Sequence, residues 1–492
     1  MSDKVVLGKL PTGVPGLDTL LGGGLTEFSF NVIAGAPGSC KTTLAHQIMF
    51  SLVGQQRKAL FFTVIGEPPL KMLRYQQQYS FFDIDKVGSM IRYVNLSDDL
   101  KNDGFSGVLS RILNEVADFQ PSLIFVDSFK SVVHTAKSGN EGIADIQQFV
   151  QTLGIQLATW EATTFLIGEY PNAESDASPI FTVADGLISL SQSLHDNYVV
   201  RKIRIVKMRG QAHLDGLHTF RINDDGLRVY PRVLQPGRSE QSRIPDTGNG
   251  HRVAMGNSEL DAMLGGGLPR GYSLLVSGPS GSGKTMLATA FLAEGAKNGE
   301  HGLIASLERS IAQAMTSPLK DLVRACQVTI MENRSLGLSI EEVVDNLLNA
   351  IDTLQTKRLV IDSLSTLELV IAPEFRQNFM EAMYRMVANL TARGVTILIT
   401  TEPAAQYGEA KFVSSDKAFL TDAVVALRFF ESDGELKRMI MVPKVRGSMH
   451  SAEMRQFTIT GDGLVIGNTL RNYGNIVSGQ ATMQPPFIDK EE

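Results

Sequence analysis

The sequence has only two cysteines in 492 residues, no excess of basic charge and no long apolar run. Cys40 and Cys326 lie far apart and make no metal-ligand spacing, which points to a reduced, intracellular setting. The opening MSDKVVLGKL lacks the apolar core of a signal peptide. No stretch reaches the ~18 consecutive apolar residues of a membrane span. A cytoplasmic protein without membrane association is expected. A net charge of −6 gives no general drive toward nucleic acid, whose affinity depends on clustered Lys and Arg. There is no Asn/Thr-Lys-x-Asp sequence of the kind that reads guanine, and no zinc or helix-hairpin-helix module. GTP and nucleic acid are therefore not expected partners.

What is present is ordinary in proportion, with 43% hydrophobic and 20% charged residues. It is too long for a single core and suits two domains of roughly 200–250 residues. An internal repeat supports that division. GLDTLLGGGL from Gly16 recurs as ELDAMLGGGL from Glu259, so Asp18 answers to Asp261 and Gly22 to Gly265. The same spacing carries Lys41 onto Lys284. Asp127 answers to Asp362 and Arg209 to Arg446 at nearly that spacing. The reading is a duplication: a first domain over 1–233, a linker over 234–250 rich in Pro, Gly and Ser, a second domain over 251–472 and a tail over 473–492.

Within each copy, near-continuous apolar runs alternate with amphipathic helical stretches. SFNVIAG, KALFFTVI, SLIFVDS and ATTFLIG are strand-like in the first copy; YSLLVSG, HGLIASL, RLVIDSL and VTILITT answer them in the second. That pattern predicts an α/β fold, a mainly parallel central sheet with helices on both faces, with β-rich sequence closing each copy.

The glycine-rich segments carry the chemistry. GPSGSGKT, from Gly278 through Ser280, Gly281, Ser282, Gly283 and Lys284 to Thr285, follows a strand and opens a helix that continues with Met286. Small residues let successive backbone N–H groups wrap phosphate oxygens. The lysine then reaches the β- and γ-phosphates and the Thr hydroxyl ligates Mg²⁺. The helix that follows adds its N-terminal dipole. The first copy reads GAPGSCKT, with Gly35, Gly38, Ser39, Cys40, Lys41 and Thr42, then Thr43. Cys40 stands where the last glycine should be. It is read as a tolerated small residue, with redox sensing by a thiol of lowered pKa at a helix start as the alternative. ATP and Mg²⁺ are the expected ligands, with Thr42, Asp127, Thr285 and Asp362 as the metal residues. Each aspartate ends a strand and precedes a serine, Ser128 or Ser363, suited either to the metal-bound water or to a helix cap.

Hydrolysis needs a carboxylate to orient the attacking water. In RecA-type ATPases it ends the strand after the phosphate-loop helix, which selects Glu67 and Glu308. KMRG and its repeat KVRG set Lys207 with Arg209, and Lys444 with Arg446, at alternate positions on one strand face. In ring ATPases such residues reach the γ-phosphate of the adjacent subunit.

The tandem openings, both phosphate loops, LVIDSLS, TTEPAAQYGE, LTDAVVALR and KVRGSMH together resemble the KaiC family over nearly the whole chain. The resemblance implies tandem RecA-like domains, a two-tiered homohexamer with nucleotide between subunits, and a slow first-tier ATPase. In some members it also implies Ser/Thr kinase action of the second tier on itself. A KaiB-like or other signalling protein is the implied partner. Departures accompany it. Glu308 is followed by Arg309, and Glu67 is preceded by Gly66, where the family has adjacent glutamates. The places of the family's phosphorylated Ser-Thr pair hold Ala418 and Phe419, which have no hydroxyl; Ser414, Ser415 and Thr421 are near. An ATP-binding ring ATPase is the leading reading. A DNA-dependent motor, testable by DNA-stimulated turnover, and an ATP-stabilised scaffold with little hydrolysis are the alternatives.

Overall fold

A computed structural model describes residues 8–64, 69–128, 148–149, 151–156, 161–170, 179–195, 198–232, 252–306, 316–332, 338–371, 376, 379–402, 415–432, 434–461, 463–471, 473–474 and 482–483. The chain forms two compact units, Met1–Arg232 and Val233–Glu492. The expected linker lies outside the described residues.

In the first unit nine strands form one sheet: β1 (Phe30–Gly35), β2 (Ala59–Thr63), β3 (Ile91–Asn95), β4 (Leu123–Asp127), β5 (Thr163–Glu169), β6 (Gly186–His195), β7 (Tyr198–Met208), β8 (His218–Asn223) and β9 (Gly226–Tyr230). Their order is β3-β2-β4-β5-β1-β6-β7-β8-β9. From β3 to β6 neighbours run parallel; from β6 to β9 they run antiparallel. The second unit repeats the plan with β10 (Ser273–Ser277), β11 (Gly302–Ser306), β12 (Val328–Glu332), β13 (Arg358–Asp362), β14 (Thr396–Thr401), β15 (Ala423–Ser432), β16 (Glu435–Val445), β17 (Arg455–Thr460) and β18 (Gly463–Thr469). Its order is β12-β11-β13-β14-β10-β15-β16-β17-β18, the same arrangement. The α/β expectation holds in both copies.

Strand composition explains the layering. Successive side chains point to opposite faces, so a central strand needs apolar residues at every position. In β1, Val32 and Ala34 enter one core while Ile33 enters the other. In β10, Leu274 and Val276 face one core and Leu275 the other. The first face of each sheet is covered by a helix that follows the central strand directly: α1 (Lys41–Leu52) on β1 and α4 (Lys284–Lys297) on β10. The opposite faces take α2 (Ser97–Phe119) in the first unit, and α5 (Ile340–Leu354) with α6 (Phe379–Ala392) in the second. Short helices α3 (Pro179–Val183) and α7 (Ser415–Phe419) precede β6 and β15. A capping box starts α5: Ser339 Oγ accepts from Glu342 N, and the Glu342 carboxylate accepts from Ser339 N.

Parallel pairing in register brings the functional ends of the strands level. Gly35 pairs with Glu169 and Thr63 with Asp127; Ser277 pairs with Thr401 and Ser306 with Asp362. In open α/β sheets ligands bind beyond such carboxyl ends. β2 ends at Thr63 and β11 at Ser306, earlier than the sequence suggested, and Glu67 and Glu308 lie outside the described residues.

Candidate nucleotide sites

Each phosphate loop leaves the central strand and turns directly into a helix. Cys40 and Gly283 sit at the N-caps of α1 and α4, and neither makes a side-chain cap hydrogen bond. The first N–H groups of both helices therefore face the loop, ready for an anion. At the loop tips Gly38 and Gly281 have φ of 75°, and a Cβ on either would project into open space. The loop floors are closed. Ser39 and Ser282 are fully buried, and among the described residues both hydroxyls lack a hydrogen-bond partner. Lys41 Nζ donates to Ala36 O at 2.8 Å. Lys284 Nζ donates to Gly278 O at 2.8 Å and Pro279 O at 3.0 Å. An open cradle of N–H groups, a lysine folded across it and an orphaned hydroxyl beneath fit a polyphosphate.

The next helical residue faces the strand-end aspartate. Thr42 Oγ1 donates to Asp127 Oδ2 at 2.6 Å, and Thr285 Oγ1 to Asp362 Oδ2 at 3.3 Å. Asp362 Oδ1 also accepts from Thr400 Oγ1 at 2.5 Å. Burial pushes the Asp127 carboxyl above the usual carboxylate range, although the Thr42 hydroxyl and Lys41 pull it down. Among the described residues no three His, Cys, Asp or Glu side chains gather as a metal cage. A paired hydroxyl and carboxylate beside a phosphate cradle suits Mg²⁺, which keeps its waters and shares phosphate oxygens. Ser363 is a helix cap: its Oγ accepts from Thr366 N at 3.3 Å and lies 2.9 Å from Thr366 Oγ1. Thr43 and Met286 follow in the first helical turn, half-buried; Ser280 is exposed at the loop tip.

Cys40 adopts φ 70°, the left-handed conformation that glycine occupies in the other copy, where Gly283 has φ 101°. A Cβ on Gly283 would stand 3.1 Å from Ile459 Cδ1 and 3.7 Å from Leu464 Cδ2, side chains of the β17–β18 hairpin. A side chain at that position of the second unit would point toward the terminal hairpin; in the first unit the Cys40 thiol donates to Gly38 O at 3.5 Å. Burial raises the Cys40 thiol above its ordinary value, with Arg201 and Lys41 only partly opposing. The lowering at a helix start, weighed as the alternative to a tolerated small residue, is not what this half-buried thiol experiences, because it packs against the core beside α1.

The sequence reading gave these closing segments as β-rich without identifying their turns. β8–β9 is tied to α1 by Gln47, whose Oε1 accepts from Leu227 N at 2.7 Å and whose Nε2 donates to Leu227 O at 3.1 Å. The signal was available: the Asp-Gly pairs at Asp225–Gly226 and Asp462–Gly463 between alternating β sequence mark tight turns. Also missed were the carboxylates one strand over. Glu402 follows β14 and stands 3.4 Å from Lys284 Nζ; Glu169 ends β5 level with Gly35, and its charge adds to the upward pressure on Asp127.

The basic pairs sit at the other end of the sheet. β7 runs antiparallel to β6, so Met208 pairs with Gly186, the first residue of β6. Arg209 N donates to Asp185 O, and Asp185 N to Phe30 O, where β1 begins. The second unit repeats this, Arg446 N to Asp422 O and Asp422 N to Ser273 O. At about 3.3 Å per residue, Phe30 is some 16 Å from Gly35. Lys207 and Arg209 are therefore remote from their own phosphate loop.

At that end they hold a short helix. Lys207 Nζ donates to Ala184 O at 2.6 Å and Phe181 O at 3.2 Å, and Arg209 Nη2 to Thr182 O at 3.0 Å. Lys444 Nζ donates to Ala418 O at 2.8 Å and Thr421 O at 2.7 Å, and Arg446 Nη2 to Phe419 O at 3.1 Å. Burial lowers both lysine ammonium groups, and the neighbouring arginine adds to the shift. Asp185 and Asp422, unnoticed in the sequence, join the arginines to the central strands: Asp185 Oδ2 accepts from Phe30 N, and Asp422 Oδ2 from Ser273 N. Phe419 is largely exposed and stacks on Tyr384 at 5.7 Å.

Among the described residues no helix is long and apolar enough to cross a membrane. The chain is 28% identical over 488 residues to "Circadian clock protein KaiC3" of Synechocystis sp., covering 96% of this chain and 94% of that protein. It is 26% identical to "Circadian clock oscillator protein KaiC" of Picosynechococcus sp., over 96% and 92% of the two chains. Against the protein of that name from Synechococcus elongatus the figure is 25%, over 98% and 93%. The model of the KaiC ATPase family matches twice, over residues 10–233 and 253–471, one match for each phosphate loop with its sheet. Matched over both halves, the chain belongs to the KaiC ATPase family.

Proposed function

We propose that this chain is an ATP-dependent regulatory ATPase whose Mg·ATP sites are completed between copies of the chain in a closed ring. In this reading Gly35–Thr43 and Gly278–Met286 hold the phosphates, and Thr42 with Asp127, and Thr285 with Asp362, hold Mg²⁺. The bound nucleotide supplies a phosphoanhydride bond open to attack by water, and the metal offsets charge on its oxygens. The protein's part is positioning. Backbone N–H groups and the loop lysine fix the phosphates, Glu67 and Glu308 orient water, and Lys207 with Arg209, or Lys444 with Arg446, approach from the next copy.

One observation carries the shared-site reading: each basic pair is anchored about a strand's length from its own loop, at about 3.3 Å per residue. If it serves a nucleotide, that nucleotide belongs to another copy. Such head-to-tail contacts close into rings, and a hexamer accords with the family. Ala418 and Phe419 offer no hydroxyl for phosphoryl transfer, so hydrolysis rather than self-phosphorylation at those places is the activity proposed.

Mixing tests this. Lys284→Ala and Arg446→Ala are each prepared in a Lys41→Ala background, so that only the second site can turn over. Each alone should be inactive at that site. In an equimolar co-assembly about a quarter of the second sites would pair an intact loop with an intact arginine, as head-to-tail contacts allow. Activity should reappear on mixing and track ring formation by native mass spectrometry. Two inactive partners that stay inactive after verified co-assembly would refute the shared site. Absence of Mg²⁺-dependent ATP affinity in the unsubstituted protein would remove the whole proposal.

A further inference from the structure

The carboxylate beside the loop lysine has no role in the machinery described above. Glu402 is the first residue after β14. Gly278, the first residue of the second phosphate loop, donates its N–H to the carbonyl of Thr401 at 3.1 Å. That bond holds the backbone of Glu402 against the mouth of the loop. Its side chain is half-exposed and reaches across the opening, Oε1 standing 3.4 Å from Lys284 Nζ. Lys284 itself is about nine-tenths buried, and among the described residues it otherwise bonds only to loop carbonyls, Gly278 O and Pro279 O. Among the described residues the ammonium thus has one anionic partner, Glu402.

The first unit has a glutamate at the same place. Glu169 ends β5, the strand equivalent to β14, and pairs in register with Gly35. Its charge adds to the upward pressure on the Asp127 carboxyl. Two copies of one fold keep a glutamate at this strand end, TTFLIGE in one and TILITTE in the other.

We infer that Glu402, and Glu169 in the first unit, are positioning residues that occupy the loop lysine in the nucleotide-free protein and yield it to the γ-phosphate. This rests on the Mg·ATP reading above. The physics is competition between two anions for one cation. A lysine ammonium is a compact point charge, so a phosphate oxygen and a carboxylate oxygen bid for the same position. A triphosphate brings more negative charge to that position than a diphosphate, because its last phosphoryl group lies beside Lys284 while a diphosphate ends one group earlier. The glutamate therefore penalises ATP more than ADP. It keeps the loop from closing on ATP as tightly as the lysine alone would allow, which favours exchange over trapping.

The test compares affinities. Full-length protein, unsubstituted and as Glu169→Gln/Glu402→Gln, is titrated in Mg²⁺ with fluorescent analogues of ATP and of ADP. The double variant should bind the triphosphate at least about 3-fold more tightly relative to the diphosphate, the scale of one half-exposed ion pair. Glu402→Asp with Glu169→Asp keeps the charge and should restore the original ratio. Melting temperatures without nucleotide check that the variants fold, and Glu402→Gln alone serves if the double variant does not. A ratio that rises by less than that, or falls, overturns the inference. If the unsubstituted protein binds neither analogue, the Mg·ATP reading fails instead, so the two failures are told apart.

Discussion

His46 makes the first unit acid-labile in a way the second cannot be. It lies on α1 one turn after Thr42 and is wholly buried. Its Nδ1 is 2.7 Å from Thr42 O, so Nδ1 must carry the proton and donate. That leaves Nε2 as a lone pair without a partner among the described residues, beside the rings of Phe61 at 4.5 Å and Tyr93 at 6.1 Å. Protonating Nε2 would place a charged N–H where nothing accepts it, and burial lowers the imidazole to about 4 from 6.5, the Thr42 bond opposing. The folded value is depressed, so the unfolded chain binds the proton first. The contribution is fully present above pH 6.5, declines as pH falls, and is exhausted below 4. The shift amounts to about 3 kcal/mol at the acid limit, and about 2 kcal/mol of it is already lost at pH 5.

The second unit offers the control. Thr289 stands at the equivalent helical position, and its Oγ1 donates to Thr285 O at 2.8 Å without a titrating group. Hydrogen exchange of the 41–52 amides, followed against denaturant at pH 7 and pH 5, measures the loss. Unsubstituted protein should lose about 2 kcal/mol between these values beyond what His46→Thr loses. The variant will be less stable at pH 7 through the cavity it leaves, so the slope with pH carries the answer. Equal slopes would refute the reasoning, as would an imidazole found by NMR to titrate near 6.5 in the folded protein.

Cys40→Val puts a β-branched side chain at a left-handed φ and should lower first-unit stability by about 1–2 kcal/mol in thermal melts; Cys40→Gly should not. Thiol alkylation at pH 7 should modify Cys326 first, because it is exposed whereas burial raises the Cys40 thiol. Arg358 is buried, with Nε 2.7 Å from Glu300 Oε2 and Nη1 2.8 Å from both Ala254 O and Phe291 O. Arg358→Ala leaves Glu300 with Arg270 as its remaining cation and removes a donor from two carbonyls, and should cost the second unit about 3 kcal/mol in denaturant unfolding.

The sequence by itself determined the duplication, the layered sheets and the phosphate loops, because these depend on local regularities. Val32, Ile33 and Ala34 have to be apolar in unbroken succession if both faces of a strand are covered. A glycine-lined bend between strand and helix has one geometry suited to phosphate, whatever surrounds it. Thr42 and Asp127 were legible for a similar reason: each is fixed to the end of a regular element that the parallel register then brings level.

Tertiary structure alone decided the rest. Lys207 and Arg209 could be recognised in sequence, but only the antiparallel turn from β6 into β7 carried them to the far end of the sheet from their own loop. Asp185, Glu402 and Gln47 were silent because each acts on a residue over a hundred positions away, through pairings that no periodicity encodes. His46 carried no signal of its own until packing enclosed it. Local sequence specifies which elements form and what their ends offer; distances between those ends arise from the order in which the strands assemble.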